Sequence, residues 1–190
     1  MGALFGRLGL VQIAGLVLLY SLLSFLWSLI GFVSPAAPEQ YYAVGFPSLA
    51  VEILGHFLFG VVAGLATRSV GLAVLCGGEA VLIDSDHFLS TLNLPVLARL
   101  SHSIPFAITI AVVFLLLPQH LVRRKTLALV TIASILSHLS FDIFAGDGQF
   151  PLIAPFSFQS YDFPYFYWPV FEVVAIVFCA LVVTRHQTRR

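Results

Sequence analysis

Residues 8–33 read LGLVQIAGLVLLYSLLSFLWSLIGFV, a run of 26 residues without a charged side chain. At about 1.5 Å per residue in an α-helix, such a run is long enough to cross the roughly 30 Å hydrocarbon core of a bilayer. It is longer than the apolar region of a secretory signal peptide, and Arg7 is the one basic residue before it. The run therefore predicts a retained transmembrane helix.

The rest of the 190-residue chain has the same apolar character. It is 59% hydrophobic and 9% charged, whereas soluble domains carry about 25% charged residues. Its apolar runs are long and unbroken, which favours helices over the alternating strands of a membrane barrel. We predict an all-α, polytopic membrane helix bundle, with one transmembrane domain over 1–190. The six predicted spans are 8–33, 49–67, 69–90, 102–121, 126–145 and 168–184.

The basic residues predict the orientation of the bundle. With six spans, both termini lie on one side, and eight of the nine Lys and Arg residues fall on that side. Because basic residues favour the inner side of a membrane, both termini are predicted to be cytoplasmic and Arg99 external. The formal net charge of zero gives no indication of nucleic-acid binding.

Acidic residues and histidines gather toward the predicted external side. His102 stands at the start of the fourth predicted span, at a depth in the membrane similar to that of the other external histidines and carboxylates. Ionisable groups inside a membrane cost roughly 2.5–3.5 kcal/mol each on insertion scales, so their convergence predicts one shared polar site. Three carboxylate–histidine pairs at helical spacing share a helix face: Glu52 with His56, Asp84 with His87, and His138 with Asp142.

Imidazole and carboxylate groups on facing helices are how helix bundles bind metal ions. This donor set suits Zn, Mn, Fe or Ni, and the lack of a cysteine ligand argues against Cu(I). One catalytic zinc takes three protein ligands, so a larger set favours two ions. We predict a divalent transition metal, Zn first and Mn as the alternative, as one or two ions. The six predicted ligands are His56, Asp84, His87, His102, His138 and Asp142.

Four segments that contain these six residues carry a family resemblance. They are His56-Phe-Leu-Phe-Gly60, Leu82-Ile-Asp-Ser-Asp-His87, Arg99-Leu-Ser-His-Ser103 and Leu136-Ser-His-Leu-Ser-Phe-Asp142. They resemble the predicted membrane-bound metal-dependent hydrolases, which are small multi-pass proteins of prokaryotic membranes. Pro151-Leu-Ile-Ala-Pro-Phe-Ser157 is similar to that family's "pLLwPFs" segment. The resemblance implies a metal-dependent hydrolase in the inner or plasma membrane of a prokaryotic cell.

The likeness covers about residues 50–157, so the helix at 8–33 is an N-terminal addition to the family pattern. The chain also departs from the pattern at two places. Leu97 and Ala98 stand where the family has a histidine and an arginine in "HRGxTHS", with Arg99 shifted by one position. Ile83 replaces the usual proline before the first aspartate. These changes imply fewer ligands or an altered substrate.

The leading functional hypothesis is hydrolysis of a lipid or lipid-linked phosphoester at the outer leaflet. Two-metal sites favour phosphoester chemistry because they clamp the attacking and leaving oxygens. Asp86 or Glu52 would be the general base beside the metal. Arg99 is the one basic residue predicted on the external side and stands three residues before His102. It is therefore predicted to bind the substrate phosphate.

Three other functions stay open at this stage. An ion- or proton-coupled transporter also needs intramembrane carboxylates and histidines. Polar groups are nevertheless sparse in the inner half of the predicted spans, where Glu79 is the deepest acid. A non-catalytic membrane protein with a structural polar cluster is the second alternative. A haem held by His56 and His138 is the third, although it leaves the carboxylates unexplained.

The last predicted external loop, 146–167, is rich in aromatic residues. It holds eight Phe and Tyr residues and is followed by Trp168. Aromatic side chains concentrate at membrane interfaces, so the loop is predicted to form an interfacial belt. The alternative is a lid above the polar site.

Overall fold

The computed structural model describes residues 8–33, 39–40, 46–87, 96–97, 99–118 and 121–187. The predicted all-α bundle is confirmed: the described residues form six α-helices. They are α1 Leu10–Ser28, α2 Phe46–Leu65, α3 Val70–Leu82, α4 Ile104–Leu116, α5 Leu121–Ala145 and α6 Trp168–Gln187. Two pairs of two-residue antiparallel strands accompany them: β1 Glu39–Gln40 with β2 Val96–Leu97, and β3 Gln149–Phe150 with β4 Tyr161–Asp162.

Three helical segments in the described part are long and apolar enough to cross a membrane. They are Leu10–Gly31, Arg123–Ala145 and Tyr165–Val183. Two shorter apolar segments, Ala50–Leu65 and Ile104–Leu116, accompany them. The count of six spans and the cytoplasmic position of the termini remain predictions.

Two helices end or begin differently from the predicted spans, each for a local reason. The third span was expected to continue to 90, but α3 passes at Leu82 into a 3₁₀ turn, Ile83–His87, in which Asp84 leaves helical geometry (φ −83°, ψ 24°). The fourth was expected to begin at 102. Instead, the side chain of Ser103 accepts a hydrogen bond from the Phe106 N–H, and Pro105 follows in the first turn. These are the usual signals of a helix start. A 3₁₀ turn, Leu100–His102, precedes this cap.

Helix α5 is the centre of the bundle. Of its apolar span, 83% is buried within the protein, compared with 22% for the spans containing α1 and α6. It contacts α2, α3, α4 and α6. Small hydroxyl side chains are buried along its length, which lets neighbouring helices approach closely while their oxygens hydrogen-bond across the interfaces. These residues are Thr126, Thr131, Ser134, Ser137 and Ser140.

Helices α2 and α3 pack with their backbones almost in contact. A Cβ on Gly60 would lie 2.7 Å from the Cα of Gly77, and one on Gly64 would lie 2.6 Å from the Cα of Ala73. Residues of this size at four-residue spacing are typical of close helix pairs in membranes. This contact fixes α2 against the helix that leads into the turn holding Asp84.

The aromatic loop predicted at 146–167 folds as a short hairpin followed by a 3₁₀ turn, Tyr165–Tyr167. Phe150 is fully buried in the main core, and Phe163 packs beside it. Phe156 and Phe166, in contrast, are strongly exposed. The loop thus supplies one side of the core as well as an exposed aromatic surface, and its role as belt or lid remains a prediction.

Candidate metal centre

Five titratable side chains from four parts of the fold meet at one point in the bundle. Two 3₁₀ turns, the middle of α2 and the C-terminal part of α5 converge here, so residues far apart in sequence become neighbours. His56 comes from α2, Asp84 from the turn after α3, His102 from the turn before α4, and His138 and Asp142 from α5.

A first group consists of the Nε2 atoms of His102 and His138 with one oxygen each from Asp84 and Asp142. The Nε2 atoms of His102 and His138 are 2.9 Å apart. Oδ1 of Asp84 lies 3.2 and 3.6 Å from these two nitrogens, and Oδ2 of Asp142 lies 3.5 and 3.2 Å from them. With Zn–N distances of about 2.0–2.1 Å, tetrahedral ligand atoms stand about 3.3 Å apart. The measured separations bracket that value.

The other oxygens of the two aspartates face a second group around His56. Nε2 of His56 is 3.7 Å from Oδ2 of Asp84 and 3.4 Å from Oδ1 of Asp142. Glu52 lies one turn earlier on α2 and places Oε2 3.5 Å from the same nitrogen. Each aspartate therefore presents one oxygen to each group, which is how carboxylates bridge a pair of ions.

Hydrogen bonds orient two of the imidazoles toward the centre. Nδ1 of His138 lies 2.7 Å from the carbonyl oxygen of Ala80 on α3. Because a carbonyl only accepts, Nδ1 carries the proton and Nε2 presents its lone pair to the cluster. Nδ1 of His102 similarly contacts the hydroxyl of Ser101, at 3.2 Å. His56 is buried and forms no hydrogen bond through either ring nitrogen to any described residue.

Asp147, just after the end of α5, and Arg99, just before the turn Leu100–His102, lie together at the edge of the cluster. Gly146 has a φ of +96°, and the Asp147 N–H donates to the carbonyl of Asp142 at 2.8 Å. This is the Schellman ending of a helix, in which glycine supplies the left-handed residue. It places Asp147 beside Asp142, and the buried guanidinium of Arg99 pairs with both carboxylates.

A comparison with protein families shows the family of the chain. The family model described as YdjM inner membrane protein matches residues 51–190. The chain belongs to the YdjM inner membrane protein family. No curated protein and no solved structure matches the chain. The matched range contains all of the cluster residues and begins after α1. The prediction of a prokaryotic inner-membrane protein is confirmed, and the interpretation of the first helix as an addition to the family pattern remains a prediction.

Among the predicted ligands of this YdjM family member, His87 lies at the periphery. Its Nε2 is 3.7 Å from Oδ1 of Asp84, and its side chain is partly exposed. Glu52, predicted as a base, lies at the open edge with 51% of its side chain exposed. The side chain of Asp86 lies outside the described residues. Arg99, predicted to meet a phosphate, contacts Asp142 and Asp147 instead of standing open to solvent.

Two contributors to the cluster of this YdjM family member were not predicted from the sequence. The Ala80 carbonyl that orients His138 has no signature in sequence, because any residue supplies one. The second is Asp147, whose place in the cluster was not predicted although the spacing indicates it. An aspartate four residues before a Gly-Asp pair at a helix end lies beside the aspartate of that pair in the Schellman geometry.

Two further buried carboxyl groups lie outside the cluster. Glu79 is fully buried on α3. Its Oε1 atom accepts a hydrogen bond from Thr131 of α5 and its Oε2 atom accepts one from Ser134, both at 3.2 Å. Glu172 on α6 accepts a 3.0 Å hydrogen bond from Ser137. Hydroxyl groups thus supply hydrogen bonds to these buried acids.

Aromatic rings form one wall of the cluster. Phe141 meets the ring of His56 edge-on at 4.6 Å and packs against Phe59 at 5.3 Å. A Cβ on Gly55 would collide with the Phe141 ring, so glycine is needed there for the two helices to fit. This wall gives the histidine an apolar side and leaves its other side to the carboxylates.

Proposed function

We propose that this protein is a membrane-embedded, metal-dependent hydrolase acting on a lipid or lipid-linked phosphoester at the outer leaflet. The observation that carries the proposal is the sharing of Asp84 and Asp142 between two histidine groups. Two ions held about 3.5–4 Å apart clamp the attacking and leaving oxygens of a phosphoester. A shared pair of aspartates is the simplest way to hold ions at that separation.

The donor set fits a divalent transition metal. Three neutral imidazoles and two or three carboxylates suit Zn, and Mn as the alternative. Within the described residues, the three groupings able to hold an ion are His56, Asp84 and His138; His102, His138 and Asp142; and Glu52, His56 and Asp142. Both ring nitrogens of His56 are buried and have no hydrogen-bond partner among the described residues. A metal ion bound to one of them would account for this.

Different residues of the chain would bind the metal and transfer the proton. A bound divalent ion would supply Lewis acidity and activate water near neutral pH. Asp84, Asp142 and the histidines would hold it, while Glu52 at the open edge would accept the proton of the attacking water. Asp86 is the second candidate for that base. The fully buried His102 and His138 form the closed floor of the site.

The surroundings of Glu52 support a lipid substrate. Val51 and Leu54 lie next to it on α2 and are both largely exposed. In a membrane, such side chains face acyl chains. A lipid approaching along α2 would therefore meet apolar side chains before its headgroup reaches the carboxylates.

The test is phosphate release from lipid phosphoesters by the detergent-purified protein loaded with Zn or Mn. Glu52→Gln is expected to lower kcat by about 10²–10⁴-fold, which is the usual contribution of a general base. Asp162→Asn, which changes an exposed acid of the hairpin, is the matched control and should leave kcat unchanged. If metal-loaded, monodisperse wild type releases no phosphate from any lipid phosphoester, the hydrolase proposal is wrong.

Ion-coupled transport is the second candidate, and Glu79 favours it. Its hydroxyl partner Ser134 stands one turn before His138 on α5, so polar groups continue beneath the metal cluster. A transporter would move Zn or protons into sealed proteoliposomes, and Glu79→Gln would stop that flux. A hydrolase would show no flux. A haem between His56 and His138 is disfavoured, because their rings stack at 3.8 Å and leave no gap for a porphyrin.

A further inference from the structure

Arg99 has an inner and an outer partner that differ sharply in exposure. Its Nη2 atom pairs with the buried carboxylate of Asp142. Its Nη1 atom lies 2.9 Å from Oδ2 of Asp147, whose side chain is 61% exposed. The guanidinium also lies over the ring of Phe150, 5.2 Å from its centroid. The cation is thus fixed from inside, while its outer partner stands at the protein surface.

The main chain of Asp147 is held independently of its carboxylate. Its N–H donates to the Asp142 carbonyl at 2.8 Å, and its own carbonyl accepts from Nη1 of Arg99 at 3.2 Å. The next residue, Gly148, lies so close to the hairpin that a Cβ there would be 2.5 Å from the Phe163 carbonyl oxygen. Releasing the Asp147 carboxylate from Arg99 therefore needs only a side-chain rotation.

We propose that the outer face of Arg99 is a phosphoryl-binding subsite and that Asp147 occupies it as a built-in competitor. Carboxylate and phosphate oxygens bind a guanidinium in the same way, so one can replace the other. The Asp147 carboxylate is 61% exposed, so solvent screening weakens its attraction to Arg99 and an incoming dianion can compete with it. Because the same guanidinium touches Asp142, a phosphoryl group held there lies beside the proposed metal ligands. The substrate class rests on the proposed function; the competition between anions does not.

The test measures binding of inorganic phosphate to the full-length, detergent-purified protein by titration calorimetry. Asp147→Asn removes the competing charge and keeps the side-chain size, so the Kd for phosphate is expected to fall about two- to five-fold. Asp162→Asn, an exposed acid on the neighbouring strand β4, is expected to leave the Kd unchanged. Arg99→Lys keeps the charge but loses the planar fork, and it is expected to weaken phosphate binding about ten-fold or more.

Opposite results would overturn the subsite. If Asp147→Asn binds phosphate no more tightly than wild type, or if neither protein binds it, Asp147 is only a structural partner of Arg99. Loss of metal from Asp147→Asn would likewise make Asp147 a structural residue. The proposed hydrolase activity is tested separately. If Asp147→Asn binds phosphate more tightly but wild type cleaves no phosphoester, the anion subsite is supported and the hydrolase proposal is wrong. Where cleavage does occur, Asp147→Asn should lower KM and leave kcat unchanged.

Discussion

Alanine at both His138 and Asp142 is expected to abolish metal binding by the purified protein. Wild type should carry one to two equivalents of Zn or Mn after incubation with the metal, and the double variant less than about 0.1 equivalent. Removal of groups that merely support a metal ligand costs about 10–100-fold in affinity. This pair includes a ligand of the first group and an aspartate shared by both groups. Metal content by mass spectrometry, per mole of monodisperse protein, makes the measurement.

Two further variants separate metal loss from misfolding. Asp142→Asn keeps an oxygen that accepts from Arg99 but lacks the full charge, so it should fold and still bind metal poorly. Asp162→Ala removes an exposed acid from the hairpin and should retain the wild-type metal content. A metal-free but well-folded wild type after exposure to Zn and Mn would contradict the metal centre. So would a double variant that retains the full complement.

The apolar runs of the sequence were sufficient to predict a helical membrane bundle, but not where each helix ends. The expected third span, 69–90, includes the 3₁₀ turn at Ile83–His87. Hydropathy does not detect such a turn, because the residues on both sides of it are apolar. The turn nonetheless shapes the candidate site, since it presents the Asp84 carboxylate to both histidine groups.

The candidate site was predictable where it depends on helical spacing. His138 and Asp142 stand four residues apart on α5, and both reach the cluster, as do Glu52 and His56 on α2. What spacing does not reveal is which oxygen faces which histidine. It also does not reveal the partners of Arg99, because these depend on tertiary contacts between residues 43 and 48 positions apart. The long-range part of the site therefore required the fold.

The close contact between α2 and α3 leads to the second large effect. Leucine at Gly60 is expected to lower the thermal unfolding midpoint of the detergent-purified protein by about 5–10 °C. A Cβ there would meet the Cα of Gly77 at 2.7 Å and the Cys76 carbonyl oxygen at 2.8 Å. Backbone atoms cannot rotate away, so the helices must separate, and overpacking of this kind costs about 1–3 kcal/mol. His56 lies one turn before Gly60 and should move away from Asp84.

Leucine at Gly15 is the matched control, because a Cβ at that position of α1 meets nothing within 4 Å. It should leave the midpoint unchanged or raise it slightly, since glycine inside a helix costs about 0.5–1 kcal/mol relative to alanine. An unchanged midpoint for Gly60→Leu would contradict the close packing of α2 on α3. A lowered midpoint with both metal equivalents retained would instead remove His56 from the metal site. In that case His102 and His138, with the two aspartates, would hold the metal without His56.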